Sequence, residues 1–254
     1  MVAESVSGPA DSVSTDNSDD HVLIGICTLN EAENIGPLIS QLKQSIPSAD
    51  VLIVDDDSSD NTSAIVTEMA SQDSSIVLNV RENQRGLGTA IRHAMSYAID
   101  HDYTYFLNLD GDFSHNPVEL ADLLSRAKQD PTVDVVIGSR YIPGGSVIGW
   151  PVRRRIMSRV VNRFATLCLR LPVKDCSGSM RCYRVASLKR IHISQLKSSG
   201  YSVLEELLVQ LHRDGAQFAE LPITFTERQQ GESKLTMGEA IRSAWTMLLM
   251  TLRG

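Results

Sequence analysis

The chain has 254 residues, 42% hydrophobic and 22% charged, enough for one large α/β domain with a sizeable core. Five acids of the net −7 charge fall within Met1–Asp20, which leaves about −2 for the rest and implies no nucleic-acid partner. That first segment is rich in Ser, Asp and Gly, carries no Lys or Arg and has no apolar period, so residues 1–20 read as a disordered acidic tail rather than a secretory signal. Four cysteines without a CxxC pair read as free thiols of a reducing compartment. No run of about 18 apolar residues is present to span a bilayer. The expectation is a cytoplasmic protein that can still rest on a membrane.

From His21 onward, short apolar runs alternate with amphipathic stretches. Strands are expected at Val22–Cys27, Val51–Val54, Ile76–Val80, Tyr103–Leu109 and Val133–Ile137. Helices are expected at Glu31–Ile46, Asp60–Ala70, Thr89–Ile99 and Pro117–Ala127, the last with proline at a permitted first-turn position. Such alternation implies βαβ units and a mostly parallel sheet, with ligands bound beyond the carboxyl ends of the strands. Acidic and small residues follow the strands there, at Thr28–Glu31, Asp55–Ser58 and Asp110–Asp112. After Ile137 the pattern changes. A Gly/Pro loop leads to a helix over Arg153–Leu171, then to strands at Met180–Arg184 and Phe218–Phe225 and a last amphipathic helix at Met237–Leu252. The reading is one domain over residues 21–236, followed by an amphipathic helix over 237–254 that either contacts a membrane or packs on the domain or a second copy.

Asp110 and Asp112 lie just past a buried strand, and alternate residues of an extended chain face one side. Two carboxylates plus substrate phosphates is a usual way to hold Mg²⁺ or Mn²⁺. An Asx turn capping the next helix is the alternative. Asp55, Asp56 and Asp57 repel one another unless something donates to them, and a carboxylate at a strand end can accept from a ribose or a base. Arg85–Ala90 contains GxG without the third glycine of a dinucleotide loop. Between Val135 and Lys174 there are eight basic residues and no acid. Arg155, Arg159 and Arg163 form one helical stripe beside Ile156, Val160, Phe164, Leu167 and Leu171, a pattern suited to an anionic membrane surface or a lipid phosphate.

Seven segments, in order, resemble the dolichol-phosphate (polyprenol-phosphate) mannosyltransferases of glycosyltransferase family 2. Cys27–Ile35 is similar to PTYNExENI, Val54–Asp60 to VDDxSxD, and Gly86–Ala90 to GLGTA. Leu109–Pro117 resembles DADLSHxP, and Gly138–Tyr141 with Gly149–Trp150 resembles GSRY…GGxxxGW. Asp175–Arg184 resembles DxTGSFRxYR, and Gly231–Leu235 matches GESKL in full. The resemblance implies a GT-A fold and an inverting transfer of mannose from GDP-mannose to a polyprenyl phosphate, with UDP-glucose or another acceptor as the alternative. It places Thr28, Asn30, Glu31, Asp55 and Asp56 at the donor nucleotide. It gives Asp110, Asp112 and Ser114 to a divalent metal beside the diphosphate, and Arg140 with one of Arg153–Arg155, here Arg155, to the reacting phosphates. Arg228, Ser233 and Lys234 are expected to close over the donor. Asp112, Arg140, Arg155 and Lys234 are the expected catalytic set. A membrane surface, or a membrane protein partner, at the cytoplasmic face is implied by the lipid acceptor. Cys27 and Leu29 depart from the family's Pro and Tyr, and Asp57 from a common Gly. A processive synthase would carry QxxRW, which is absent, and a receiver domain would be about half this length.

Overall fold

The computed structural model describes residues 20–227, apart from 199 and 201. The tail, the 228–236 segment and the expected helix at Met237–Leu252 lie outside the described residues. The α/β alternation holds: β1 (Val22–Thr28), α1 (Ala32–Ser45), β2 (Asp50–Asp55), α2 (Thr62–Gln72), β3 (Ile76–Val80), α3 (Leu87–Asp100), β4 (Tyr105–Asp110), α4 (Pro117–Gln129) and β5 (Val135–Ser139). Strands β1, β2, β4 and β5 are buried on both faces, which is why they read as continuous apolar runs, while the edge strand β3 is only partly buried. Alternate residues serve two cores. Leu23, Leu52 and Phe106 face one, while Ile24, Ile53 and Leu107 face the other. Gly25 is required where β1 passes β4, because a Cβ there would sit 2.6 Å from the Phe106 ring.

Beyond β5 the chain runs through β6 (Ser146–Ile148), α5 (Val152–Cys168), β7 (Arg181–Arg184), α6 (Val185–Arg190), α7 (Val203–Arg213), β8 (Phe218–Pro222) and β9 (Thr224–Thr226). The main sheet has the order β3-β2-β1-β4-β7-β5-β8, with β7 antiparallel to both neighbours. The chain leaves β1 toward β2 and β3, then returns to place β4 on the other side of β1, so the switch point lies between the ends of β1 and β4.

Three expectations change. The single strand expected over Phe218–Phe225 is two: β8 ends opposite Ser139 at Pro222, which has no N–H to continue a ladder, and β9 pairs instead with β6. The helix expected to reach Leu171 ends at Cys168, and Arg170 turns the chain away at φ 54°. β6, α6 and α7 are additional elements; α7 buries Val203–Val209 and Leu211, Glu205 and Glu206 included, and exposes Gln210, His212 and Arg213.

Candidate active site

The first two strand-end loops are laced together. Asp55 is fully buried and accepts from Thr28 Oγ1 at 2.7 Å, Ser58 N at 2.9 Å, Ser58 Oγ at 2.5 Å and Ser63 Oγ at 2.9 Å. Asn30 donates its N–H to Ser58 Oγ and accepts from Ser59 N. Glu31 N donates to Thr62 Oγ1, while its carboxylate accepts from Asn34 Nδ2 at 2.8 Å. Thr28, Asn30 and Asp55 are therefore brought together as builders of one rim.

Asp56 is buried against Arg81. Arg81 donates to Asp56 Oδ1 through Nε at 2.8 Å and through Nη2, and Gly86 N donates to Asp56 Oδ2 at 2.8 Å. Arg81 Nη1 also donates to Thr89 Oγ1, so this one side chain ties the end of β2 to the GLGTA turn. The sequence reading missed Arg81, although three adjacent acids already called for a donor. Asn30, Asp57 and Phe113 all take left-handed backbone, at φ 55°, 59° and 57°. For a phenylalanine this conformation costs of order 1 kcal/mol or more, and it turns the chain between Asp112 and Ser114.

Asp110 ends β4 beside Cys27 of β1 with a third of its side chain exposed, whereas Asp112 is buried and accepts from Ser114 N at 3.0 Å. Ser114 and His115 are buried behind them. His115 Nδ1 lies 3.9 Å from Asp110 Oδ2, but burial lowers the His115 pKa more than the nearby carboxylates raise it, so the contact is not an ion pair. Among the described residues no three His, Cys, Asp or Glu side chains converge as a complete metal cage. The two carboxylates, with the Ser114 hydroxyl behind them, are hard oxygen donors of the type Mg²⁺ or Mn²⁺ takes when phosphates complete its shell. The residues fit such an ion.

The opposite wall is cationic. Arg140, just past β5, is buried and meets Asp175 edge-on: Nε donates to Oδ2 at 2.7 Å and Nη2 to Oδ1 at 2.8 Å, with a further bond from Nη2 to Ser177 Oγ. Burial works against both charges. Asp175 nonetheless holds the guanidinium charged above its ordinary value, and Arg140 with Arg181 holds Asp175 below the usual carboxylate range. A cavity of about 200 Å³ opens beside Arg140, lined also by Tyr141, Trp150, Arg155 and Arg159. Arg159 stacks over Tyr141, whose hydroxyl meets Ser158 Oγ at 2.7 Å. Arg155 is thus brought to the cavity. Arg154 instead pairs with Glu227 and stacks over Trp150. Asp110 and Asp112 do not line the cavity. Arg228, Ser233 and Lys234 lie outside the described residues. Asp175 and Tyr141 carried no assigned role in the sequence reading, although both sit in its motifs, and Arg159, read there as part of a basic stripe for a membrane surface or a lipid phosphate, lines the cavity.

The family model described as Glycosyl transferase family 2 matches residues 23–192. The chain belongs to glycosyltransferase family 2. This glycosyltransferase is 36% identical over 223 residues to the polyprenol monophosphomannose synthase of Mycolicibacterium smegmatis, covering 87% of the chain and 83% of that protein. It is 34% identical to the undecaprenyl-phosphate mannosyltransferase of Micrococcus luteus, covering 87% and 90%. Among solved structures, the glycosyltransferase is similar to glucosyl-3-phosphoglycerate synthase from Mycobacterium tuberculosis in complex with Mn²⁺ and UDP-glucose. The TM-score is 0.67 at 16% identity, over 92% of this chain and 79% of that one. The likeness establishes the GT-A fold expected from the motifs.

Proposed function

We propose that the enzyme transfers mannose from GDP-mannose to a polyprenyl phosphate, with inversion, at the cytoplasmic face of a membrane. The observation that carries this reading is an acidic rim at the β1/β4 switch point, linked through Phe225 to a cavity whose charged lining residues are Arg140, Arg155 and Arg159. An acidic rim suits a metal-bound nucleoside diphosphate, and a cationic cavity of this size suits a phosphate monoester. The two mannosyltransferase relatives support the sugar and the lipid, and the Mn²⁺ in the structural relative supports a divalent ion.

In this reading Glu31 and Asp56 border the nucleoside, with Thr28, Asn30 and Asp55 shaping the rim. Asp110 and Asp112, with Ser114, would hold Mg²⁺ or Mn²⁺. A divalent ion bound there neutralises charge on the leaving diphosphate. Arg228, Ser233 and Lys234 cover the donor. Arg140 and Arg155 orient the acceptor phosphate, whose second pKa of about 6 already makes it an anion near neutral pH. An oxygen of that phosphate bonds to the anomeric carbon as the bond to the nucleoside diphosphate breaks. No protein base need take a proton, so catalysis rests on placing two anions in line.

Among the described residues no helix is long and apolar enough to cross a membrane. Helix α5 nonetheless exposes Ile156, Met157, Val160, Val161, Phe164 and Leu167, each 48% or more exposed, with Arg153 and Arg163 also exposed on the same helix. A basic, apolar face of this kind suits shallow burial in an anionic lipid surface. It also answers a physical need. At about 0.8 kcal/mol per CH₂, a polyprenyl tail cannot leave the bilayer cheaply, so the enzyme must come to it. The test is product formation from a panel of GDP- and UDP-sugars with polyprenyl phosphate and Mn²⁺. Mannosyl lipid from GDP-mannose alone supports the reading, and glucosyl lipid from UDP-glucose contradicts the donor assignment.

A further inference from the structure

The short β6–β9 pair does more than close the cavity. Its backbone reaches the acidic loop, where Thr226 N donates to Ser114 O at 2.9 Å, and reaches α4, where Thr224 N donates to Glu119 Oε1 at 2.9 Å. Between these two bonds stands Phe225. Its ring meets His115 edge-on at 5.3 Å, Trp150 at 5.3 Å, and the Arg140 guanidinium at 5.6 Å. One side chain therefore touches the acidic loop and two walls of the cationic cavity. Two residues on, Glu227 N donates to Ile148 O, and its carboxylate pairs with Arg154 of α5 at 2.5 Å. Gly149 permits this approach, since a Cβ there would lie 2.8 Å from Glu227 Cβ.

We infer that Phe225, braced by the Glu227–Arg154 pair, is a positioning residue that sets the spacing between the donor loop and the acceptor cavity. The inference rests on the proposed transfer and deepens it. In-line displacement needs the acceptor oxygen about 3–3.5 Å from the anomeric carbon, and a shift of 1 Å can cost on the order of 100-fold in rate. No other described side chain meets both His115 of the acidic loop and Arg140 of the cavity in these aromatic contacts. A smaller residue at 225 keeps each half-site assembled but frees one to slide against the other.

Slow hydrolysis of the sugar nucleotide, in which water replaces the lipid phosphate, requires only the donor half. Transfer requires both halves in register. The experiment measures transfer and hydrolysis side by side in wild type, Phe225→Leu, Phe225→Tyr, Glu227→Gln and, as a control, Phe218→Leu in β8. The transfer-to-hydrolysis ratio is expected to fall on the order of 10-fold or more in Phe225→Leu. It should fall in the same direction but less in Glu227→Gln, stay near wild type in Phe225→Tyr, and not move in Phe218→Leu. Parallel loss of both rates in Phe225→Leu means a structural role only and overturns the inference, as does an unchanged ratio. Should Phe225→Leu fail to fold, Glu227→Gln decides, because its side chain is 39% exposed and outside both cores. Absence of lipid-linked product in wild type would instead remove the proposed transfer itself, and the positioning role with it.

Discussion

Arg140 and Asp175 face each other through two parallel hydrogen bonds with both side chains buried, 7% and 0% exposed. A buried pair of this geometry holds its cation in one orientation, with one edge spent on Asp175. Asp175→Asn removes the counter-charge and strands the guanidinium. We predict a stability loss of about 3–5 kcal/mol by denaturant unfolding. In the fraction that folds, the acceptor KM should rise. A fully stable Asp175→Asn variant would mean that Arg140 is hydrated rather than held.

Arg81→Met should leave the buried Asp56 carboxylate with only Gly86 N and unlink β2 from the GLGTA turn. Calorimetric titration with GDP and Mn²⁺ is expected to show weaker binding by at least about 10-fold, with the acceptor KM unaffected. Equal loss on both substrates would place Arg81 in general stability and not in the donor rim.

Much of this was legible. β1, β2, β4 and β5 were legible because strands buried on both faces are apolar runs, and Asp110 and Asp112 stood out because a strand end delivers them. Arg81 was half legible: three adjacent acids announce a missing cation, but no spacing says which arginine supplies it. β9 was merged with β8 in the strand expected over Phe218–Phe225 because three residues are too few to mark a separate strand, and only the partner β6 distinguishes it. Glu205 in α7 was illegible, since its burial depends on the packing of distant segments around Arg181.

Glu205 offers a pH test of that packing. It is buried with Oε2 unpartnered, among Arg181, Asp175, Arg140 and Cys176. Burial pushes its pKa up to about 7. A carboxyl raised above its unfolded value near 4.5 contributes no penalty below that pH, and its stability contribution is lost as pH rises through 7. At about 1.36 kcal/mol per pH unit between the two values, the loss approaches roughly 3 kcal/mol. Glu205→Gln should match wild type at pH 4.5 and exceed its Tm at pH 8. Equal Tm values at both pH values would mean that Glu205 ionises without penalty.

Val160→Glu with Phe164→Glu tests the α5 face without touching a core, because both side chains are about 60% exposed. Flotation with anionic liposomes should be lost, while transfer to a short, soluble polyprenyl phosphate stays within about 2-fold, since exposed substitutions are near neutral for the fold. Undiminished flotation would move the membrane contact elsewhere.

In the proposed reaction the acidic rim and the cationic cavity act together in transfer to a lipid phosphate. The most direct measurement is the movement of radiolabelled mannose from GDP-mannose into organic-extractable polyprenyl lipid, with Mn²⁺, by wild type and Asp112→Asn. The asparagine keeps an acceptor for Ser114 N and so preserves the loop, but removes the charge. Wild type is expected to form lipid-linked mannose and to lose it with EDTA, and Asp112→Asn to fall on the order of 100-fold. Full activity of a folded Asp112→Asn variant in EDTA would contradict the proposed reaction.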